Sequence, residues 1–249
     1  MIKNDDLKTS PRQRLIIIAI AIFMLFSTFA LYAGIVLNYG NKNATSSNLT
    51  SEEQARFDEL LAQYNADVEE QANELSKKHF DSFKNYKGQV KAFNAASIVN
   101  LKTEDLKVGT GRAITGKEDV DYAAYYIGWL SDETVFDSSF DSFDNPTKLK
   151  SPLGGTTSLI EGWKEGIEGM KIGGVRILSI PSALGYGDVE QGNIPANSPL
   201  KFVVMLIEKP KEIEMSSELT NLYYKSMGMN VDSSGVSADE SDDIEGAEE

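Results

Sequence analysis

Residues 15–37, LIIIAIAIFMLFSTFALYAGIVL, contain no charged side chain. At about 1.5 Å per residue a helix of this length crosses a hydrocarbon core of about 30 Å. The stretch therefore reads as a transmembrane anchor, with residues 1–14 as a short tail on one side. Lys3, Lys8, Arg12 and Arg14 precede it, and only Lys42 follows before the next structured segment. That bias predicts a single-pass protein of the cell membrane with its N-terminus in the cytoplasm and the rest of the chain on the extracytoplasmic side. The competing reading is a cleaved signal peptide, whose apolar region is usually about 7–15 residues long and ends in a small-x-small site. Thr28-Phe29-Ala30 has that form, but the apolar run continues well past it, which favours the uncleaved anchor.

Inventory removes most familiar chemistries. The chain has no cysteine, so no disulfide framework, thiol nucleophile or cysteine-based zinc site is available. Its single histidine, His79, lies far from the motifs described below, which argues against a Ser-His-Asp hydrolase or a multi-histidine metal site. No metal and no cofactor are expected. A net charge of −14 argues against nucleic acid as a partner, because phosphate binding needs clustered Lys and Arg. Much of that charge sits near the C-terminus, where Asp232, Asp239, Glu240, Asp242, Asp243, Glu245, Glu248 and Glu249 are mixed with Ser and Gly and no base. Too little apolar surface is present there to offset the entropy of ordering, so residues 211–249 read as a C-terminal helix or turn followed by a disordered acidic tail.

Residues 38–50, rich in Asn, Ser and Gly, have linker composition. Their two glycosylation sequons, at Asn43 and Asn48, are taken as chance. Ser51-Glu52-Glu53-Gln54 has capping-box form and predicts a helix start at Ser51. Leu60, Leu61, Tyr64, Val68, Ala72, Leu75, Phe80 and Phe83 then recur at intervals of three or four. Lys77, Lys78, Lys84 and Lys87 fall late, where the helix dipole favours them. Residues 51–100 thus read as an amphipathic helix and connector. Two roles for the helix stay open, a stalk or dimerisation element and a helix packed on its own head domain. His79 is expected to be a solvated cation near the helix end.

In residues 101–210 the periodicity changes. Alternation at period two marks residues 120–129 and 200–208, residues 175–180 form a β-rich run, and one short helix is expected at about 160–170 before a Gly173-Gly174 turn. Strands with a single helix give an α+β head, an antiparallel sheet wrapped on one short helix.

Four clusters within this head carry chemistry. They are Tyr126-Ile127-Gly128-Trp129-Leu130 with Val135-Phe136-Asp137-Ser138-Ser139; Leu159-Ile160-Glu161-Gly162-Trp163-Lys164-Glu165-Gly166 with Met170; Gly185-Tyr186-Gly187; and Asn193-Ile194-Pro195-Ala196-Asn197-Ser198-Pro199-Leu200 running into Phe202. In this order and spacing the segment of about 106–209 resembles the FKBP family, the macrolide-binding peptidyl-prolyl cis-trans isomerases. The resemblance implies a twisted antiparallel sheet curved around a short helix, with a proline-binding pocket between them. It implies that Trp163 floors the pocket and that Phe136, Leu159, Ile160, Ile194 and Phe202 wall it. Tyr126, which also lines the pocket, would hold the Asp137 carboxylate near the rotating carbonyl, and the Tyr186 phenol and the Ile160 backbone N–H would donate to substrate carbonyls.

This chain departs from the family pattern after Asp137. The basic residue and Pro-Phe-x-Phe often found there are replaced by Phe140, Phe143 and Pro146-Thr147-Lys148-Leu149, with extra residues before Leu153-Gly154. The resemblance therefore implies lowered macrolide affinity more than lost isomerase activity. The reading is a membrane-anchored prolyl isomerase acting on proline-containing polypeptides during the folding of exported proteins. Two non-enzymatic alternatives stay open: a tethered client-binding or chaperone module, and a structural envelope protein with the head as a spacer.

Overall fold

The Thr50 hydroxyl accepts from the Glu53 N–H at 3.2 Å, and Glu53 Oε2 accepts from the Thr50 N–H at 2.9 Å. This reciprocal capping box opens helix α1, Ser51–Phe83, one residue earlier than the Ser51 box read from the sequence. In the computed structural model, residues 48–156 and 158–229 are described, with the backbone of 231–232 and 235–236. The anchor expected at 15–37 lies outside the described residues, as does nearly all of the acidic tail. Among the described residues no helix is long and apolar enough to cross a membrane.

The chain forms two compact units, one of them Ala66–Ile213. Within it, strands β1 (Lys102–Lys107), β2 (Ala123–Trp129), β3 (Val135–Ser138), β4 (Leu153–Gly154), β5 (Val175–Ile180) and β6 (Leu200–Ile207) form one sheet, with helix α2 (Glu161–Ile167) between β4 and β5. The order is β1-β5-β6-β2-β3 with β4 also paired to β2, and every ladder is antiparallel. The expected α+β head, a sheet wrapped on a short helix, is what the chain adopts.

Alternation at period two suggests strands with one wet face, yet β2 and β6 are buried on both. Ala124, Phe202, Val204 and Leu206 face α2, joining Trp163, Ile167, Leu178 and Ile180 in one core. Their neighbours Ala123, Tyr125, Ile127, Trp129, Val203, Met205 and Ile207 face the other way, into a second core closed by Phe83, Phe140 and Leu149. Leu75 and Phe80 of α1, and Tyr86, Val90 and Phe93 after it, pack against that second core. Of the two roles left open for the helix, its second half therefore takes packing on the head. The connector follows suit: Trp129 Nε1 donates to the Lys91 carbonyl at 3.1 Å, and Glu133 Oε1 accepts from the Ala92 N–H at 2.9 Å.

Two details of α1 differ from expectation. It stops at Phe83 with no base in its last turn, because residues Lys84–Gln89 tighten into a 3-10 helix that carries Lys84 and Lys87. His79 is half-buried, its ring 5.9 Å from that of Tyr125. Burial, and then the charge of Lys78, pull its pKa below the ordinary histidine value, so it is not a solvated cation. The folded state thus prefers the neutral imidazole. The associated stability is complete above the unfolded pKa of about 6.5 and is lost as pH falls from there through the lower folded value. A thermal-melt series from pH 7.5 to pH 5 should show a falling Tm, and His79→Leu should flatten that slope; an equal slope in the variant would refute the assignment.

α2 is only seven residues long, too short to persist alone. Two contacts hold it. Gly162 approaches β5 so closely that an added Cβ would lie 2.3 Å from Ile180 Cγ2. At the other end, Arg176 Nη1 donates to the carbonyls of Gly166 at 2.9 Å and Glu168 at 3.2 Å while its guanidinium grips Asp105, with Nε 2.6 Å from Oδ1. A cation at the C-terminal carbonyls suits the helix dipole.

The second unit, Met1–Asn65 with Glu214–Glu249, holds the first half of α1 and helix α3, Ser217–Ser226. Ser216 caps α3 by accepting from the Leu219 N–H at 3.1 Å. Arg56 grips Glu218 through two nitrogens, each at 2.9 Å, and Lys225 reaches Glu53 at 2.6 Å. Val231–Asp232 and Gly235–Val236 form a two-stranded ladder, β7 and β8.

Candidate active site

β2 presents Tyr126 and Gly128 on the α2 side of the sheet, and β3 lies beside it with Asp137 opposite Gly128. The Tyr126 phenol reaches diagonally across this ladder and donates to Asp137 Oδ2. Around it four rings meet: Trp163 lies 5.5 Å from Tyr126 and 5.2 Å from Phe202, and Phe136 lies 5.5 Å from Phe202, all near perpendicular. Edge-to-face contacts of this kind suit the ring quadrupoles. Trp163, Ile194 and Phe202 are buried, while Leu159 and Ile160 are partly buried against the same core.

Gly128 makes this convergence possible. A Cβ there would sit 2.6 Å from Phe136 Cζ and 2.7 Å from Phe202 Cε1. The sequence reading assigned this glycine no role, although a Gly inside an alternating strand is a signal of close approach.

Ile160 sits at the N-cap of α2 in extended conformation, its carbonyl accepting from the N–H groups of Trp163 at 3.0 Å and Lys164 at 3.3 Å. Its own N–H donates to no acceptor among the described residues. Ile194 reaches the core from a tight turn in which it and Gln191 exchange backbone hydrogen bonds of 2.9 Å. Tyr186 follows the 3-10 turn Ser182–Leu184 and remains 37% exposed. The loop is fixed by the Gly187 N–H donating to the Ser182 carbonyl at 2.9 Å and the Asn197 N–H donating to the Gly187 carbonyl at 2.7 Å.

Burial raises the Tyr126 phenol pKa far above its ordinary value, and the nearby Asp137 charge and hydrogen bond add to the shift. Burial, then the Asp137 charge, also raise that of Tyr186. Both phenols are therefore protonated donors across the physiological range. Among the described residues no Lys or Arg pairs with Asp137, in keeping with the missing basic partner noted in the sequence.

The segment that departs from the family pattern lies elsewhere. Phe140 is buried in the second core, 5.4 Å from Phe83 and 6.4 Å from Phe143. Asp141 organises the loop by accepting from the backbone N–H groups of Ser142, Thr147 and Lys148 and from the Thr147 hydroxyl. Desolvation pushes its carboxyl up, but these bonds outweigh it and bring the pKa down to about 2. Phe140 and Phe143 are thus spent on the α1 side of the sheet.

The fold and the ring cluster define an α+β domain whose packed aromatic cluster has one carboxylate, Asp137, hydrogen-bonded at its margin. The family model of FKBP-type peptidyl-prolyl cis-trans isomerase matches residues 114–207. An FK506-binding protein of Neisseria meningitidis serogroup A is 42% identical over 111 residues, covering 44% of this chain and 95% of that protein. FK506-binding protein 4 of Neurospora crassa is 40% identical over 111 residues, 45% of this chain and 22% of that protein. Among solved structures, the peptidyl-prolyl cis-trans isomerase of Pseudomonas syringae pv. tomato is 25% identical, covering 53% of this chain and 92% of that one, with a TM-score of 0.33. The chain belongs to the FKBP-type peptidyl-prolyl cis-trans isomerases.

Proposed function

We propose that Tyr126, Phe136, Leu159, Ile160, Trp163, Ile194 and Phe202 together line a recess that takes the proline ring of polypeptide substrates, with Trp163 as its floor. The observation that carries this reading is the Tyr126–Asp137 hydrogen bond at the edge of four mutually packed aromatic rings. Rotation about a peptide bond must break amide resonance against a barrier of about 18–20 kcal/mol. A twisted amide has a more pyramidal nitrogen and a less polarised carbonyl than a planar one, so a dry aromatic site favours it over the ground state. Neither a nucleophile nor a proton transfer is required; the site must bind the twisted form better and hold the proline in place. Tyr186 and the Ile160 N–H supply donors for substrate carbonyls, and Asp137, held by Tyr126, places a carboxylate beside the rotating group.

Macrolides are a second ligand class for the same recess, suggested by the names of the FK506-binding relatives. Their affinity should be reduced, because Phe140 and Phe143 are turned to the other face of the sheet. The uncharged stretch at 15–37 and the bases before it support a membrane anchor with the head outside the cytoplasm, acting on exported proteins as they fold.

The test is isomerisation of a proline peptide by the parent protein and by Asp137→Asn and Tyr186→Phe. Both variants should lower kcat by about 10- to 100-fold while KM and Tm stay close to parental, as for interactions made mainly in the transition state. A folded parent with no rate above background would leave client binding without turnover as the reading.

A further inference from the structure

Behind the Tyr126–Asp137 pair runs a chain of short hydrogen bonds that ends outside the segment matching the family. The Tyr126 N–H donates to Ser139 Oγ at 2.9 Å, and the Ser139 N–H returns a bond to the Tyr126 carbonyl at 2.9 Å. The Ser139 carbonyl accepts from the Lys150 N–H at 2.8 Å. The preceding residue, Leu149, donates its N–H to Ser76 Oγ at 2.8 Å. Ser76 and Ser139 are both buried, 4% and 5% exposed, and Leu149 is 1% exposed. Phe140 pairs with Leu149 in an isolated bridge and packs on Phe83, so the loop after Asp137 is clamped to α1 by apolar contact as well.

We propose that Ser76 of α1 is a positioning residue for the Tyr126–Asp137 pair, acting through Leu149, Lys150 and Ser139. The inference rests on the reading of that pair as part of the reaction site. Buried donors and acceptors are paired as a rule, and the Leu149 N–H has this hydroxyl as its partner. Without it, Leu149 and Lys150 can shift to find another acceptor. Any shift passes through the Lys150–Ser139 bond to the backbone of Tyr126, whose ring and phenol set the place of the Asp137 carboxylate. Placement errors of this kind act on kcat more than on binding, because the apolar walls from Trp163 and Phe202 are untouched.

The experiment uses the full chain with Ser76→Ala, Ser139→Ala and the double variant. Leu106→Ala serves as a control that removes second-core surface at the opposite edge of the sheet. Rates are read at a temperature where circular dichroism shows every variant fully folded. Ser76→Ala and Ser139→Ala should each lower kcat by about two- to tenfold with KM unchanged, the range of coupling through packed networks. The double variant should lose no more than the larger single loss, as for residues in one network. Leu106→Ala should lower Tm and leave kcat alone. Independently of turnover, the Tyr126 amide resonance should move in Ser76→Ala. A parental kcat in an active enzyme, an unmoved Tyr126 resonance, or multiplying losses in the double variant would each overturn the proposal. An inactive parent would instead sink the isomerase site reading, with the Tyr126 resonance still deciding whether Ser76 positions the pair.

Discussion

A fragment beginning at Leu101 should fail to melt cooperatively, whereas one spanning Ala66–Ile213 should retain both a cooperative transition and isomerase activity. The shorter fragment keeps the whole segment that matches the family, 114–207, and every proposed pocket residue. What it loses is the cover over the second core. Phe83 is fully buried there and Leu75, Phe80, Tyr86, Val90 and Phe93 are partly so. Full burial of one such side chain contributes about 1.5–3 kcal/mol, so the group together rivals a total folding stability of about 5–15 kcal/mol. Removing it also bares Tyr125, Ile127, Trp129, Phe140 and Met205 in one patch, a surface that invites aggregation. Circular dichroism melts and sedimentation of the two fragments decide the matter. A Leu101 fragment that is monomeric, with the Tm of the longer one, would show that the sheet stands without α1.

Much of this architecture was legible in the sequence, for identifiable reasons. β5 is bounded as its β-branched run suggested, and β6 ends one residue short of the alternating stretch. β2 begins at Ala123, after the start expected at 120, because Asp119 is committed to Arg112 and the Thr115 N–H and holds the chain in a turn. The rings that pack together around Tyr126 were identifiable because their order and spacing are distinctive even when each residue alone is ordinary. The double-sided burial of β2 and β6 is marked in the sequence only by unbroken uncharged runs, Ala123–Trp129 and residues 202–207, a pattern that fits a strand covered on both faces and equally a stretch of buried helix. The same limit left the role of α1 open: an amphipathic stripe states that a partner exists, and only the fold shows that the partner is the second face of the sheet. Ser76 and Ser139 were invisible for a plainer reason. Serine is common on surfaces, and nothing local marks one as a buried acceptor for a backbone group far along the chain.

Trp163→Ala should cost about 3–5 kcal/mol of stability, the range for truncating a packed aromatic. For a unit of this size that is a fall in Tm on the order of 10 °C. The side chain is 2% exposed and in ring contact with both Tyr126 and Phe202. Its Nε1 makes no hydrogen bond of ordinary geometry among the described residues, although the indole lies near enough to Tyr122 to favour that phenol's ionised form, so the loss is chiefly one of packing and apolar surface. If the indole is also the floor under proline, the variant should bind a proline peptide at least tenfold more weakly at a temperature where it is fully folded, about 1.4 kcal/mol of binding free energy. Asp137→Asn should do the reverse, binding the peptide nearly as the parent does while turning it over slowly. The two variants thus separate the apolar and electrostatic parts of the site. Calorimetric binding and melts on the same samples provide the measurement. A Trp163→Ala protein that loses the expected stability yet binds peptide normally would make Trp163 a core residue and move the proline site off the aromatic cluster.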